Sequence, residues 1–263
     1  MILTGNWIDA YAAGDIVAGP TYPDSDYPIE NILDFWSLEK QARMTNATPA
    51  VRWCIIDFGS ATQIQAIFAD HINSSHLVIQ GNATNSWGSP SYSDNEVVGK
   101  DERVGRYKLF HELHSFNYRY MRVVLPSMAT LKTDPDVWMM SRFAVLPNTS
   151  NYIELTRQVK AGGYKLTLTK PYLDNKKKGG GKERIARSLH YRNEAEIDFG
   201  IRDNDTDETE LWQINALDNK DPLILREEFS GSNKAYICTK NDPVRVKTSG
   251  RGPDAIEPGS VKF

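Results

Sequence analysis

The chain has 263 residues, enough for one large domain or two ordinary ones, each with its own core. Hydrophobic residues make up 40% and charged residues 25%, the proportions of a soluble globular protein. The net charge of −3 argues against a general nucleic-acid binder, which carries a basic excess, and no apolar run approaches the length of a membrane span.

Residues 1–26 are rich in Gly, Ala, Asp and Pro, with aromatic pins at Trp7, Tyr11 and Tyr22. They read as a short strand or arm followed by a loop lying across the next domain. The start lacks the basic and apolar segments of a signal peptide, so synthesis and folding in a cytoplasm are expected. Ile29, Ile32, Leu33 and Trp36 stand at near-helical spacing and predict one short helical turn. Residues 43–49 read as a connection.

Strands are then predicted at Val51–Asp57, Gln63–Asp70 and His76–Gln80. Asp57-Phe58-Gly59-Ser60 separates the first two as a turn, with Gly59 suited to positive φ and Asp57 able to bond to the local backbone. Cys54 lies mid-strand and is expected to be a small buried hydrophobe. Residues 82–106 form a long polar excursion holding Trp87 and Tyr92. Tyr107–Leu113, Tyr118–Leu125 and Trp138–Leu146 complete the set; Tyr118, Tyr120, Val123 and Leu125 compete for the buried face of the second. Many short strands and almost no helical pattern predict an all-β chain whose first part is a sandwich.

The turn-rich residues 147–151 place a boundary between domains 1–147 and 148–263. Beyond it, strands are predicted at Tyr152–Lys160, Tyr164–Lys170, Arg184–Asp198, Leu211–Ala216, Leu223–Glu228 and Lys234–Thr239. They suggest a smaller β domain with long hairpins, followed by an extended, Pro/Gly-rich tail from Asn241.

The arrangement Asn31-Ile32, then Trp53-Cys54-Ile55-Ile56-Asp57-Phe58-Gly59, then Ile64–Asp70, then Tyr118-Arg119-Tyr120-Met121-Arg122 resembles the discoidin-like, galactose-binding-like jelly roll over roughly residues 1–150. Asp70-His71-Ile72-Asn73 ahead of Leu77-Val78-Ile79-Gln80-Gly81 is most similar to versions in tail proteins of bacterial viruses. Asp198-Phe199-Gly200-Ile201 and Glu210-Leu211-Trp212-Gln213-Ile214 resemble ring-forming domains of phage tail-tip proteins. The resemblance implies a virion protein of the distal tail, joined to copies of itself in a ring, by resemblance a hexamer. Its other partners would be the tail tube and tail-tip hub.

No catalytic, cofactor or metal signature stands out. Gly181-Lys182 lacks the glycine and the hydroxyl residue of a phosphate loop, having Lys176 and Glu183 there instead. Asp203–Glu208 starts like a calcium loop, but Glu208 and Ile214 occupy the positions needing Gly and a carboxylate, so it reads as an exposed acidic turn. His111 and His114 are three apart, a spacing that puts them on opposite faces of a strand. No nucleophile elbow is present. Lys176, Lys177, Lys178, Lys182 and Arg184 form a basic hairpin tip, read as a candidate assembly contact.

Discoidin-like folds bind through loops at one end of the sandwich. Trp36, Asn73, His76, Trp87 and Tyr92 are the loop residues here with sugar-binding chemistry, apolar faces and planar polar groups. The main expectation is thus a non-enzymatic phage-tail structural protein without cofactor, sequence-specific nucleic acid or membrane insertion. The alternative is a carbohydrate-binding module or adhesin for a host-surface glycan.

Overall fold

A computed structural model describes residues 2–4, 16–19, 26–33, 41–45, 52–101, 106–126, 137–147, 152–154, 164–169, 172–176, 182–186, 192–198, 202–203, 223–227, 234–238, 246–248, 255–258 and 260–262. The chain forms two compact units. One comprises Asn6–Asn151 with Arg226–Ala235, the other Met1–Gly5, Tyr152–Leu225 and Tyr236–Phe263.

In chain order the first strands are β1 (Ile2–Thr4) and β2 (Ile16–Gly19). A 3-10 turn at Ile29–Leu33 and β3 (Ala42–Thr45) lead to β4 (Arg52–Asp70), β5 (His76–Asn82), β6 (Tyr92–Val97) and β7 (Gly99–Asp101). β8 (Arg106–Leu125), β9 (Val137–Met140) and β10 (Arg142–Pro147) complete the larger unit, a jelly-roll β-sandwich.

The predicted turn at Asp57–Ser60 differs from what forms. Gly59 does adopt φ 75° and its N–H does donate to Asp57 Oδ1 at 2.8 Å, yet β4 continues through as one 19-residue strand. β8 likewise runs unbroken for 20 residues, passing Ser115 at φ 64°. The two long strands pair antiparallel, with register breaks between Asp57 and Thr62 and between Ile64 and Ala66. An extra residue in a ladder bends a strand and re-aims its side chains. Each long strand therefore serves two half-sheets.

In one half, β2 pairs with Trp53–Ile56 of β4, which pairs with Tyr120–Leu125 of β8, then β5, then β6. In the other, β10 pairs with the far end of β4, which pairs with the start of β8, then β7. Cys54, Ile56, Leu77, Ile79, Met121, Val123 and Leu125 of the first half meet Ile67, Ala69, Leu109, Leu113, Phe143 and Val145 of the second in one core. Strands that switch layers at bulges are a recognised way of closing a sandwich. This settles the competition along 118–125: Met121, Val123 and Leu125 point inward, and Tyr120 and Arg122 are only half-buried.

Three further differences have simple causes. Arg43 lies in a strand, not a connection: Ala42–Thr45 pairs with β9. The polar stretch 82–106 contains β6 and β7, invisible to hydrophobic alternation because Tyr92–Val97 carries Ser, Asp, Asn and Glu at a half-exposed edge. The predicted final strand is two, broken at Ser141, whose N–H donates to the Asp70 carbonyl, so that β9 goes to β3 and β10 to β4. Asn31 fixes the 3-10 turn by donating from Nδ2 to the Gln41 carbonyl oxygen at 2.8 Å.

The smaller unit is also β. β11 (Tyr152–Glu154) pairs with β1, in a sheet ordered β11-β1-β17-β18, where β17 is Leu223–Glu227 and β18 Lys234–Cys238. β12 (Tyr164–Thr169) pairs with β15 (Arg192–Asp198), and β13 (Tyr172–Lys176) with β14 (Lys182–Ala186). The tail does run extended, but in short paired strands. β19 (Val246–Thr248) and β20 (Ala255–Pro258) join β16 (Arg202–Asp203), and β21 (Ser260–Lys262) joins β15. The strand predicted at 211–216 lies outside the described residues, as does most of the acidic turn after Asp203.

Candidate functional site

The loop that follows β5 is closed by a set of side-chain hydrogen bonds. Asn82 organises it with a single side chain. Its Nδ2 donates to the Ser86 carbonyl oxygen at 2.6 Å, while its Oδ1 accepts from the Ala83 N–H and the Ser91 hydroxyl, both at 3.0 Å. Asparagine suits this task, since its short amide offers donor and acceptor to nearby backbone. The loop is thereby closed on itself, and Trp87 sits half-buried within it. The indole Nε1–H donates to Asn85 Oδ1 at 2.7 Å.

Trp87 rests on Arg122. The guanidinium carbon lies 4.6 Å from the indole centroid, within cation–π range. Arg122 Nε–H donates to Gln80 Oε1 at 2.7 Å, and Gln80 is its cross-strand partner on β5. Two contacts thus fix the guanidinium plane, and burial lowers its pKa from the ordinary value. An indole, a guanidinium and an amide side by side offer an apolar face for C–H groups and planar donors for oxygens.

At the bulge beside this patch, Arg119 grips Asp57 at two points, Nε to Oδ1 at 2.8 Å and Nη2 to Oδ2 at 2.9 Å. The Arg119 hydrogen bond holds the Asp57 carboxyl below its ordinary value against the opposing effect of burial, with help from the Gly59 N–H and the Arg119 charge. Arg119 also lies over the Tyr120 ring, 4.9 Å from its centroid.

The five residues expected at the sugar site have different surroundings. Trp87 is in the patch just described. Asn73 is buried, its N–H donating to the Met139 carbonyl and its Oδ1 accepting from the Met139 N–H at 2.7 Å, so it fastens β9. His76 begins β5, four residues from Gln80 and so about 13 Å away along the strand, with its Nδ1 3.0 Å from the Ser75 hydroxyl. Tyr92 packs edge-on against Phe116 at 5.3 Å and donates from its hydroxyl to Asp94 Oδ2 at 3.2 Å. Trp36 lies outside the described residues. Of the expected assembly contacts, Lys176 and Lys182 oppose each other in register across β13–β14, and Arg184 opposes Asp174. Lys177 and Lys178 lie outside the described residues.

Sequence reasoning missed Arg122 and Gln80 as site residues, and also a cluster at the inner face of β6. His111 Nε2 lies 2.8 Å from Asp94 Oδ2, and its Nδ1 3.6 Å from Glu96 Oε2. Among the described residues these three could hold a metal ion, with ligand atoms all within 4.8 Å of one another. Each ring nitrogen already faces a carboxylate, so the group is also complete as a clamp between β6 and β8. For Asp94, burial raises the pKa but the His111 hydrogen bond and charge outweigh it, and the net shift is downward. The period-2 pattern of β6, had it been read, would have put Asp94 and Glu96 on one face; nothing local pointed to His111. His114 is exposed.

No family model matches the chain, and no curated protein matches it. Among solved structures, it is similar to the lectin domain of lectinolysin in complex with Lewis B antigen, with 10% identity and TM-score 0.40 over 54% of this chain and 98% of that one. It is similar to the fucose binding module SpX-3 of Streptococcus pneumoniae, at 10% and 0.39 over 52% and 97%. A chitosan-binding module from a chitosanase/glucanase of Paenibacillus sp. IK-5 aligns at 14% and 0.37 over 52% and 98%.

Proposed function

We propose that the sandwich unit is a non-catalytic glycan-recognition module that binds through the Trp87–Arg122 face. The observation that carries this reading is the stacked Trp87–Arg122 pair, held by Gln80 beneath and by the Asn82-closed loop around it. A site whose parts are already in place loses little entropy on binding, which weakly held sugars require. The test is a glycan microarray probed with the full chain. Wild-type protein should bind a subset of glycans, and Trp87→Ala should weaken that binding at least about tenfold, the loss expected for an aromatic contact of about 1.5 kcal/mol. A blank array with folded protein contradicts the reading.

The β13–β14 pair favours a second role for the smaller unit, as an assembly element. Among the described residues this hairpin has no third strand, and a lone two-stranded hairpin is marginal in water. Edge pairing with neighbouring copies would complete it. The phage tail-tip ring, with tube and hub as further partners, is the setting in which both roles fit, the sandwich then facing the host surface. Light scattering and electron microscopy of the full chain test this reading. A ring supports it, and a monomer at all concentrations counts against it.

A further inference from the structure

We infer that the glycan taken by the Trp87 face is acidic, carrying a sugar carboxylate that Arg122 receives. This rests on the glycan-recognition reading and deepens it.

The alternating strands turn Ile55 and Asp57 of β4, Val78 and Gln80 of β5, Ser93 and Asn95 of β6, and Tyr120 and Arg122 of β8 to the side away from the core. Asp57 is the one carboxylate among these, and Arg119 already holds both of its oxygens. The nearest acids of β6, Asp94 and Glu96, alternate to the other side and engage His111. Among the described residues, then, no carboxylate pairs with Arg122. Its contacts are a neutral amide and an indole face.

A half-buried guanidinium in that position has lost part of its hydration without gaining a counter-charge, an unfavourable arrangement that a bound anion would reverse. Gln80 takes only Nε–H, and among the described residues no hydrogen bond engages either Nη group, which leaves both to a ligand. Their planar fork matches the two oxygens of a carboxylate better than a point charge would. The indole stacked on the same guanidinium lies within reach of the sugar ring bearing that carboxylate, so a uronic acid would use both parts at once.

The test measures binding of the full chain, by calorimetry, to oligogalacturonate and oligomannuronate, to the same oligosaccharides after carboxyl reduction, and to a sulfated oligosaccharide. Charged hydrogen bonds lead us to expect the acidic forms to bind about ten- to a hundredfold more tightly than their reduced counterparts, with the difference shrinking as salt rises. Arg122→Gln should bring the acidic forms down to the level of the reduced ones, and Arg122→Lys should recover part of the difference. Should Arg122→Gln fail to fold, by circular dichroism, the lysine variant and the salt dependence carry the test. Equal binding of acidic and reduced forms, or a preference for sulfate, overturns the inference while leaving glycan recognition intact. A protein that binds no sugar on the array removes both.

Discussion

Asp57 and Asp94 are both aspartates on the half-sheet that carries the proposed site, and each has its carboxyl pulled below the ordinary range by a cationic or imidazole partner. A carboxyl with a depressed folded-state pKa contributes stability above its unfolded value, near 3.9, and that contribution is lost as the pH falls through the folded value. Stability measured by urea denaturation should therefore hold level from pH 7 to about 5 and decline below about 4. Asp57→Asn and Asp94→Asn should each lower stability at pH 7 and make the acid decline shallower; an unchanged decline in both would contradict these assignments. Gly81 gives a sharper residue-level test. A Cβ there would stand 2.6 Å from Tyr118 Cδ2 and 2.7 Å from Phe116 Cε2, whereas at Gly88 it would meet nothing within 4 Å. Phe116 is fully buried and held edge-on by Tyr118 at 5.4 Å, so neither ring can retreat freely. Gly81→Ala should cost about 1–3 kcal/mol by overpacking, and Gly88→Ala close to nothing. Equal costs for the two would show that the aromatic packing over Gly81 is wrong.

At the scale of elements, the sandwich depends on two strands that change layer part-way along. Sequence alternation found both ends of each. Cys54 and Ile56 share a face, as do Ile67 and Ala69, but their parities differ by one. The corner at Gly59 was legible only as a suspected turn, because a bulge and a turn use the same residues and differ only in what the chain pairs with next. The change of parity itself falls later, between Ile64 and Ile67, at the second register break. At Ser115 there was no signal, since serine is not a residue that advertises positive φ. Gly59 is exposed, so a methyl group there meets a backbone penalty and no packing penalty. Gly59→Ala should destabilise by about 1 kcal/mol or more, read from chemical denaturation, and a neutral result would show that the corner does not need that conformation. The short partner strands were harder to read than the long ones. β6 alternates at a polar edge, and β3 is recognisable only through its pairing with β9. The candidate site was legible in part: Trp87 stood out as an aromatic in a polar stretch, but Gln80 and Arg122 become neighbours only through the pairing of β5 with β8.

For the molecule as a whole, the chain combines a sandwich bearing a preformed aromatic–guanidinium patch with a second β unit made of small sheets. Composition excluded broad classes of function, and patterning gave the all-β class. The choice between holding neighbours and holding a ligand depends on surfaces that only tertiary pairing creates. Arg122 illustrates this. In the linear sequence it is one arginine of a Tyr-Arg-Tyr-Met-Arg run; in the fold it is the base on which Trp87 lies. The most direct test of the account is the indole N–H resonance of Trp87, assigned by its loss in Trp87→Phe and followed while a glycan from the array is titrated into the labelled full chain. The account predicts that this signal shifts with the same saturation curve as bulk binding, while the signal of buried Trp138 stays in place. A glycan that saturates the protein and leaves the Trp87 signal unmoved would contradict it.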